Sequence, residues 1–98
     1  MSYIYQEYLG NYTLVRNSQV KAAKANWQRC LNSAGYVCGT VDGIFGSNTE
    51  KQTKLFQQAN SLTQDGKAGY DTKMAMWNTI NVPSVCVALN ATEIVGND

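Results

Sequence analysis

The chain has 98 residues, 44% hydrophobic and 15% charged, with a formal net charge of +1 and no histidine. That length accommodates one domain with a modest core. The near-neutral balance offers no field to draw nucleic acid or an anionic membrane, and the missing histidine removes Ser-His and Cys-His nucleophile activation and nearly all familiar zinc-hydrolase sites.

Residues 1–13 are the least legible. They hold Tyr3, Tyr5, Tyr8 and Tyr12. Tyr5, Leu9 and Tyr12, or Ile4, Tyr8 and Tyr12, fit a short helix, whereas Ser2 to Tyr5 fits a strand equally well. The start has neither a basic n-region nor a long apolar run, so no signal peptide is expected there. No stretch of the chain approaches the roughly 20 apolar residues of a membrane span.

A first helix is expected over about 18–34, with Val20, Ala23, Trp27 and Leu31 on one face beside Cys30. Asn17 or Ser18 can cap its start, and Gly35 can take the left-handed position past its end. Arg16, Lys21, Lys24 and Arg29 come with no acid between them and read as a solvated basic face. A second helix is expected from Ser47 to about Asn60, opened by a capping box at Ser47-Asn48-Thr49-Glu50 and carrying Leu55, Phe56 and Ala59 inward. A third runs from about Asp71 to Ile80, with Met74, Trp77 and Ile80 inward, and Pro83 ends it. Trp27, Phe45, Phe56 and Trp77 are the side chains expected to meet in the centre. Beyond them Val85, Val87 and Leu89 alternate with small residues in a strand-like pattern.

Two segments repeat. Asp42-Gly43-Ile44-Phe45-Gly46-Ser47-Asn48-Thr49 recurs 23 residues on as Asp65-Gly66-Lys67-Ala68-Gly69-Tyr70-Asp71-Thr72. Both read D-G-x-x-G-x-x-T and both run into a helix. Asp-Gly favours a tight turn with glycine at positive φ, and the threonine falls in the first turn of the helix that follows.

The flanking residues are Gln28-x-x-Leu31-Asn32-x-x-Gly35-Tyr36 before Val41-Asp42-Gly43-Ile44-Phe45-Gly46-x-x-Thr49, then Phe56-Gln57, then Ser61-Leu62 before the second unit. Together they resemble the peptidoglycan-binding domain appended to cell-wall hydrolases of bacteria and phages, over roughly residues 14–80. The chain departs from that pattern at Asn17-Ser18-Gln19, at Gln52-Thr53 and in residues 1–13 and 81–98. The resemblance implies an all-α fold, a small bundle of three helices with two repeated turn-helix units, flanked by an N-terminal extension or linker (1–13) and a C-terminal extension (81–98) that can add short terminal strands. It implies a non-catalytic module that binds peptidoglycan, outside the cell or in its wall, and anchors a covalently linked catalytic domain of a parent protein. No cofactor, metal, nucleic acid or membrane enters that picture. The expected ligand surface is where Tyr36, the turn of Asp42, Gly43, Ile44 and Gly46, and the start of the second helix meet, with Asn32 beside them. Glycan and stem peptide are rich in amides and hydroxyls, which suit exposed backbone groups and an aromatic face.

Other chemistry is weaker in the sequence. Asp42 and Asp65 precede glycines in turns, where an aspartate caps its own backbone rather than cleaving a glycan. Ser18-Gln19-Val20-Lys21 matches S-x-x-K only by letter, without the partner motifs of penicillin-recognising enzymes. Pro83-Ser84-Val85-Cys86 is a faint echo of the metalloprotease pro-segment, lacking its arginine and glycine. A structural or oligomerising module, such as a phage component, is the remaining alternative. The three cysteines, Cys30, Cys38 and Cys86, cannot all pair within the chain. Cys30 and Cys38 either form a disulfide across the Gly35 turn, or all three stay unpaired thiols.

Overall fold

A computed structural model of the protein describes residues 5–89. They form five helices: α1 (Gln6–Leu9), α2 (Lys21–Ser33), α3 (Ser47–Ala59), α4 (Tyr70–Thr79) and α5 (Val82–Val85). The fold is all-α. The three long helices, α2 to α4, are the three expected from the sequence. The strand-like pattern over 85–89 is not a strand, because Pro83 sits in the first turn of α5, where its fixed φ starts a helix. The only bridge of β type among the described residues joins Leu14 and Ala68. The alternative strand over Ser2 to Tyr5 falls mostly outside the described residues.

α2 is the central element and packs against α1, α3 and α5. Trp27, Phe45 and Phe56 fill the core with Leu31, Leu9, Leu14, Met76 and Val82. Burying each large side chain stabilises the fold by roughly 2–3 kcal/mol. Trp27 meets Phe56 edge to face, with centroids 6.1 Å apart. Its indole N–H donates to Thr53 Oγ1 at 2.9 Å, and the Thr53 hydroxyl donates to the Thr49 carbonyl at 2.7 Å. The unusual Gln52-Thr53 pair thus places a buried hydroxyl where the indole needs an acceptor.

The inward faces differ from the expected ones in two helices. α3 buries Thr49, Thr53, Phe56 and Gln57, while Leu55 and Ala59 point to solvent. α4 buries Thr72, Lys73 and Met76, and Trp77 packs only half-buried at the core's margin with Met74 and Ile80. In both helices the inward stripe is partly polar, because Thr49, Gln57 and Thr72 serve the repeated turns, Thr53 the Trp27 indole, and Lys73 the Gly10 and Tyr12 carbonyls. The expected side-chain caps at the starts of the first two long helices are also absent. α2 starts at Val20, and Ser18 instead accepts from Val15 N and donates to Thr13 O. α3 starts at Gly46 with no side-chain cap, and Glu50 pairs with Arg16 at 2.8 Å.

Both helix ends that lead into the repeated turns close in the same way. At α2, Gly35 has φ +97°, with Tyr36 N donating to Leu31 O and Gly35 N to Asn32 O. At α3, Ser61 takes the left-handed position at φ +58°, with Leu62 N donating to Gln57 O and Ser61 N to Gln58 O. These are Schellman closures, the second made without glycine.

The flanking segments pack on this frame. Asn26 of α2 donates to both Tyr8 O (2.6 Å) and Val87 O (2.9 Å), and Leu89 N donates to Glu7 O (2.6 Å). Lys73, 2% exposed, donates from Nζ to Gly10 O and Tyr12 O and holds the strand of chain before Leu14 against α4.

Candidate functional site

The two repeated turns are built around a glutamine that the preceding helix inserts into each. In the first, Gln28 Oε1 accepts from Asp42 N (3.0 Å) and Gly43 N (2.9 Å). Its Nε2 lies within reach of Asp42 Oδ1 (3.1 Å), Ile44 O (2.9 Å) and Thr49 Oγ1 (3.0 Å). In the second, Gln57 Oε1 accepts from Gly66 N (3.0 Å), and its Nε2 reaches Asp65 Oδ1 (2.9 Å), Lys67 O (2.9 Å) and Thr72 Oγ1 (3.0 Å). Each aspartate also accepts from the backbone two residues on, Ile44 N at 2.9 Å and Lys67 N at 3.0 Å. The threonine of each motif therefore anchors the glutamine rather than capping its helix. Gly43 and Gly66 have φ of +74° and +73°, as the Asp-Gly turns require. A β-carbon at Gly43 would lie 2.5 Å from Lys21 Cγ, and one at Gly66 2.8 Å from Glu50 Cγ.

The clamps fix the charge state of the turns. The Ile44 N–H, then the Gln28 amide, hold the Asp42 carboxyl below its ordinary value. Burial pushes Asp65 up, but the Lys67 N–H and the Gln57 amide outweigh it and leave that carboxyl lowered too. Both aspartates are thus ionised and committed to their own turns.

Over each turn lies a shallow open groove. The first, about 440 Å³, is bordered by Asp42, Ile44 and Gly46 with Thr40, Ser47 and Asn48, over a floor of Gln28, Cys38 and Thr49. Ile44 is 63% exposed at its edge. The second, about 500 Å³, is bordered by Asp65, Lys67, Tyr70 and Asp71. Tyr70 there is exposed and leans edge-on against Tyr5 at 6.0 Å.

Of the six residues expected at a ligand surface, Asp42, Ile44 and Gly46 line the first groove together. Gly43 is buried beneath it. Asn32 does not cap α2; its Nδ2 donates to Gly39 O (3.0 Å) and its Oδ1 accepts from Cys38 N (2.8 Å), bracing the loop on the groove's rim. Tyr36 is outside the lining. It is half-buried with its ring edge-on to Phe56 at 5.5 Å, so it is not the freely exposed aromatic face expected. Gln28 and Gln57 belong to the recognised pattern, but their part in the turns was missed. Their 29-residue spacing on successive helices, each ahead of a D-G-x-x-G-x-x-T unit, is the signal that could have revealed it. Among the described residues no three metal-ligating side chains gather.

A doubled turn-helix unit locked by paired glutamines defines a small helical module. The family model for the peptidoglycan binding domain matches residues 17–76, from the approach to α2 through most of α4. The chain belongs to that family, and its shared property is peptidoglycan binding. No helix among the described residues is long and apolar enough to cross a membrane.

Proposed function

We propose that the chain is a non-catalytic targeting module that holds a linked cell-wall hydrolase, of the endolysin kind, on peptidoglycan at the cell exterior or within the wall. The observation that carries this reading is the intact first turn of a peptidoglycan-binding family member, with a groove open above it. Asp42, Ile44 and Gly46 meet the ligand directly, Gly43 and Asn32 hold the backbone beneath and beside them, and Tyr36 supports the neighbouring surface. The groove is polar with one exposed aliphatic side chain, which suits a sugar or stem peptide carrying amides, hydroxyls and methyl groups. Tethering raises the local concentration of scissile bonds, so a weak module still increases turnover on an insoluble polymer.

The absence of histidine and the commitment of Asp42 and Asp65 to their turns support a role without bond cleavage. The test incubates the chain with purified sacculi, with and without teichoic acids, and assays co-sedimentation and released reducing ends or amines. Sedimentation without release is expected. Soluble fragments released by the pure chain would contradict the non-catalytic reading, and failure to sediment with any sacculus would contradict the binding.

A further inference from the structure

We propose that Cys30 and Cys86 form an intramolecular disulfide in the oxidised protein, clamping the segment after α5 onto α2. Their sulfurs lie 3.4 Å apart, and the two thiols are 0% and 7% exposed. A disulfide of about 2.05 Å needs the sulfurs about 1.4 Å closer. The backbone on both sides is already held. Cys86 N donates to Val82 O at 2.9 Å, and the next residue, Val87, is bonded through its carbonyl to Asn26, one turn before Cys30 on α2. The pairing that the sequence allowed, Cys30 with Cys38, is not the one the fold prepares. Cys38 Sγ instead lies 3.8 Å from the Gln28 carbonyl and on the floor of the first groove.

A low-molecular-weight disulfide such as oxidised glutathione is a sufficient oxidant. The Cys86 thiolate attacks one glutathione sulfur, forming a mixed disulfide and releasing one glutathione thiolate. Cys30 passes its proton to the released glutathione thiolate as its sulfur attacks the Cys86 sulfur, releasing the second glutathione. Two protein thiols are oxidised and one glutathione disulfide is reduced to two thiols. The shared hydrogen bond with Cys30 holds the Cys86 thiol below its ordinary value, which suits Cys86 to the first attack.

The cross-link spans 56 residues and joins a segment outside the family match to the helix that carries Gln28. It restricts the unfolded chain and stabilises the module in an oxidising compartment. It stands independently of the wall-binding reading.

The reduced chain is incubated with oxidised glutathione, unfolded in acid, alkylated and digested without reduction. The expected results are an intact mass lower by about 2 Da, alkylation at Cys38 alone, and a linked peptide pair that fragments to Cys30 and Cys86. The oxidised form also melts several degrees above the reduced one. Cys38→Ser, which keeps both partners, gives the same link. Alkylation of all three cysteines after oxidation, a link through Cys38, or glutathione left on Cys86 would each overturn the proposal.

Discussion

Gln28 does the work of several residues at once. Its amide satisfies two backbone N–H groups and reaches a carboxylate, a carbonyl and a hydroxyl, while Gln28 itself is only 2% exposed. Gln28→Ala strands those donors in the interior, so a loss of about 2–4 kcal/mol is expected in chemical denaturation. An unchanged midpoint would mean the turn is held otherwise. The aspartates add a pH dependence. Both carboxyls lie below their ordinary 3.8 in the folded protein. Their stabilisation is therefore complete above that value and is lost as the pH falls through the lower, folded-state value. Melting temperature should decline below about pH 4. Asp42→Asn keeps an acceptor for Ile44 N–H but cannot titrate, so its decline should be shallower. Parallel melting curves for the two proteins would remove Asp42 from the acid transition.

At the scale of elements, the long helices were legible because Val20, Ala23, Trp27 and Leu31 recur at helical spacing and Gly35 ends the run. Their polar inward residues were not. A buried Thr53, Gln57 or Lys73 leaves no hydrophobic stripe, and its burial depends on a partner elsewhere: Trp27 for Thr53, Asp65 and Gly66 for Gln57, and the carbonyls of Gly10 and Tyr12 for Lys73. Trp77 was overvalued for the same reason, since Met76 beside it takes the interior. Trp27→Ala is accordingly expected to cost about 3–5 kcal/mol and Trp77→Ala about 1–2 kcal/mol, measured by urea unfolding. Equal losses would place Trp77 in the core after all. Ser61 offers a test in the opposite direction. A non-glycine residue at φ +58° is strained, so Ser61→Gly should stabilise the protein by about 0.5–1 kcal/mol, whereas a loss would show that the serine side chain holds the α3 closure.

For the molecule as a whole, the doubled D-G-x-x-G-x-x-T motif identified the family and the all-α class from sequence alone, because its glycines, aspartates and threonines are tied to turn geometry. The flanks were illegible because residues 5–13 and 81–89 are held by distant partners: Asn26 of α2 bonds both, Lys73 of α4 holds the Gly10 and Tyr12 carbonyls, and Leu89 N donates to Glu7 O. The candidate groove was legible only in part. Asp42, Ile44 and Gly46 come together, but Tyr36 is drawn inward by Phe56, a contact that no local pattern encodes. Ile44 is therefore the residue at which the proposed binding can be tested apart from folding. It is exposed and outside the core, so Ile44→Ser should leave the melting curve within a degree or two of wild type. The most direct measurement is a binding isotherm of wild type and Ile44→Ser on sacculi stripped of teichoic acids. Saturable binding by the wild type, weakened several-fold in the folded variant, is the predicted result. No saturable binding by the wild type, or identical isotherms for the two, would contradict a peptidoglycan site at the first turn.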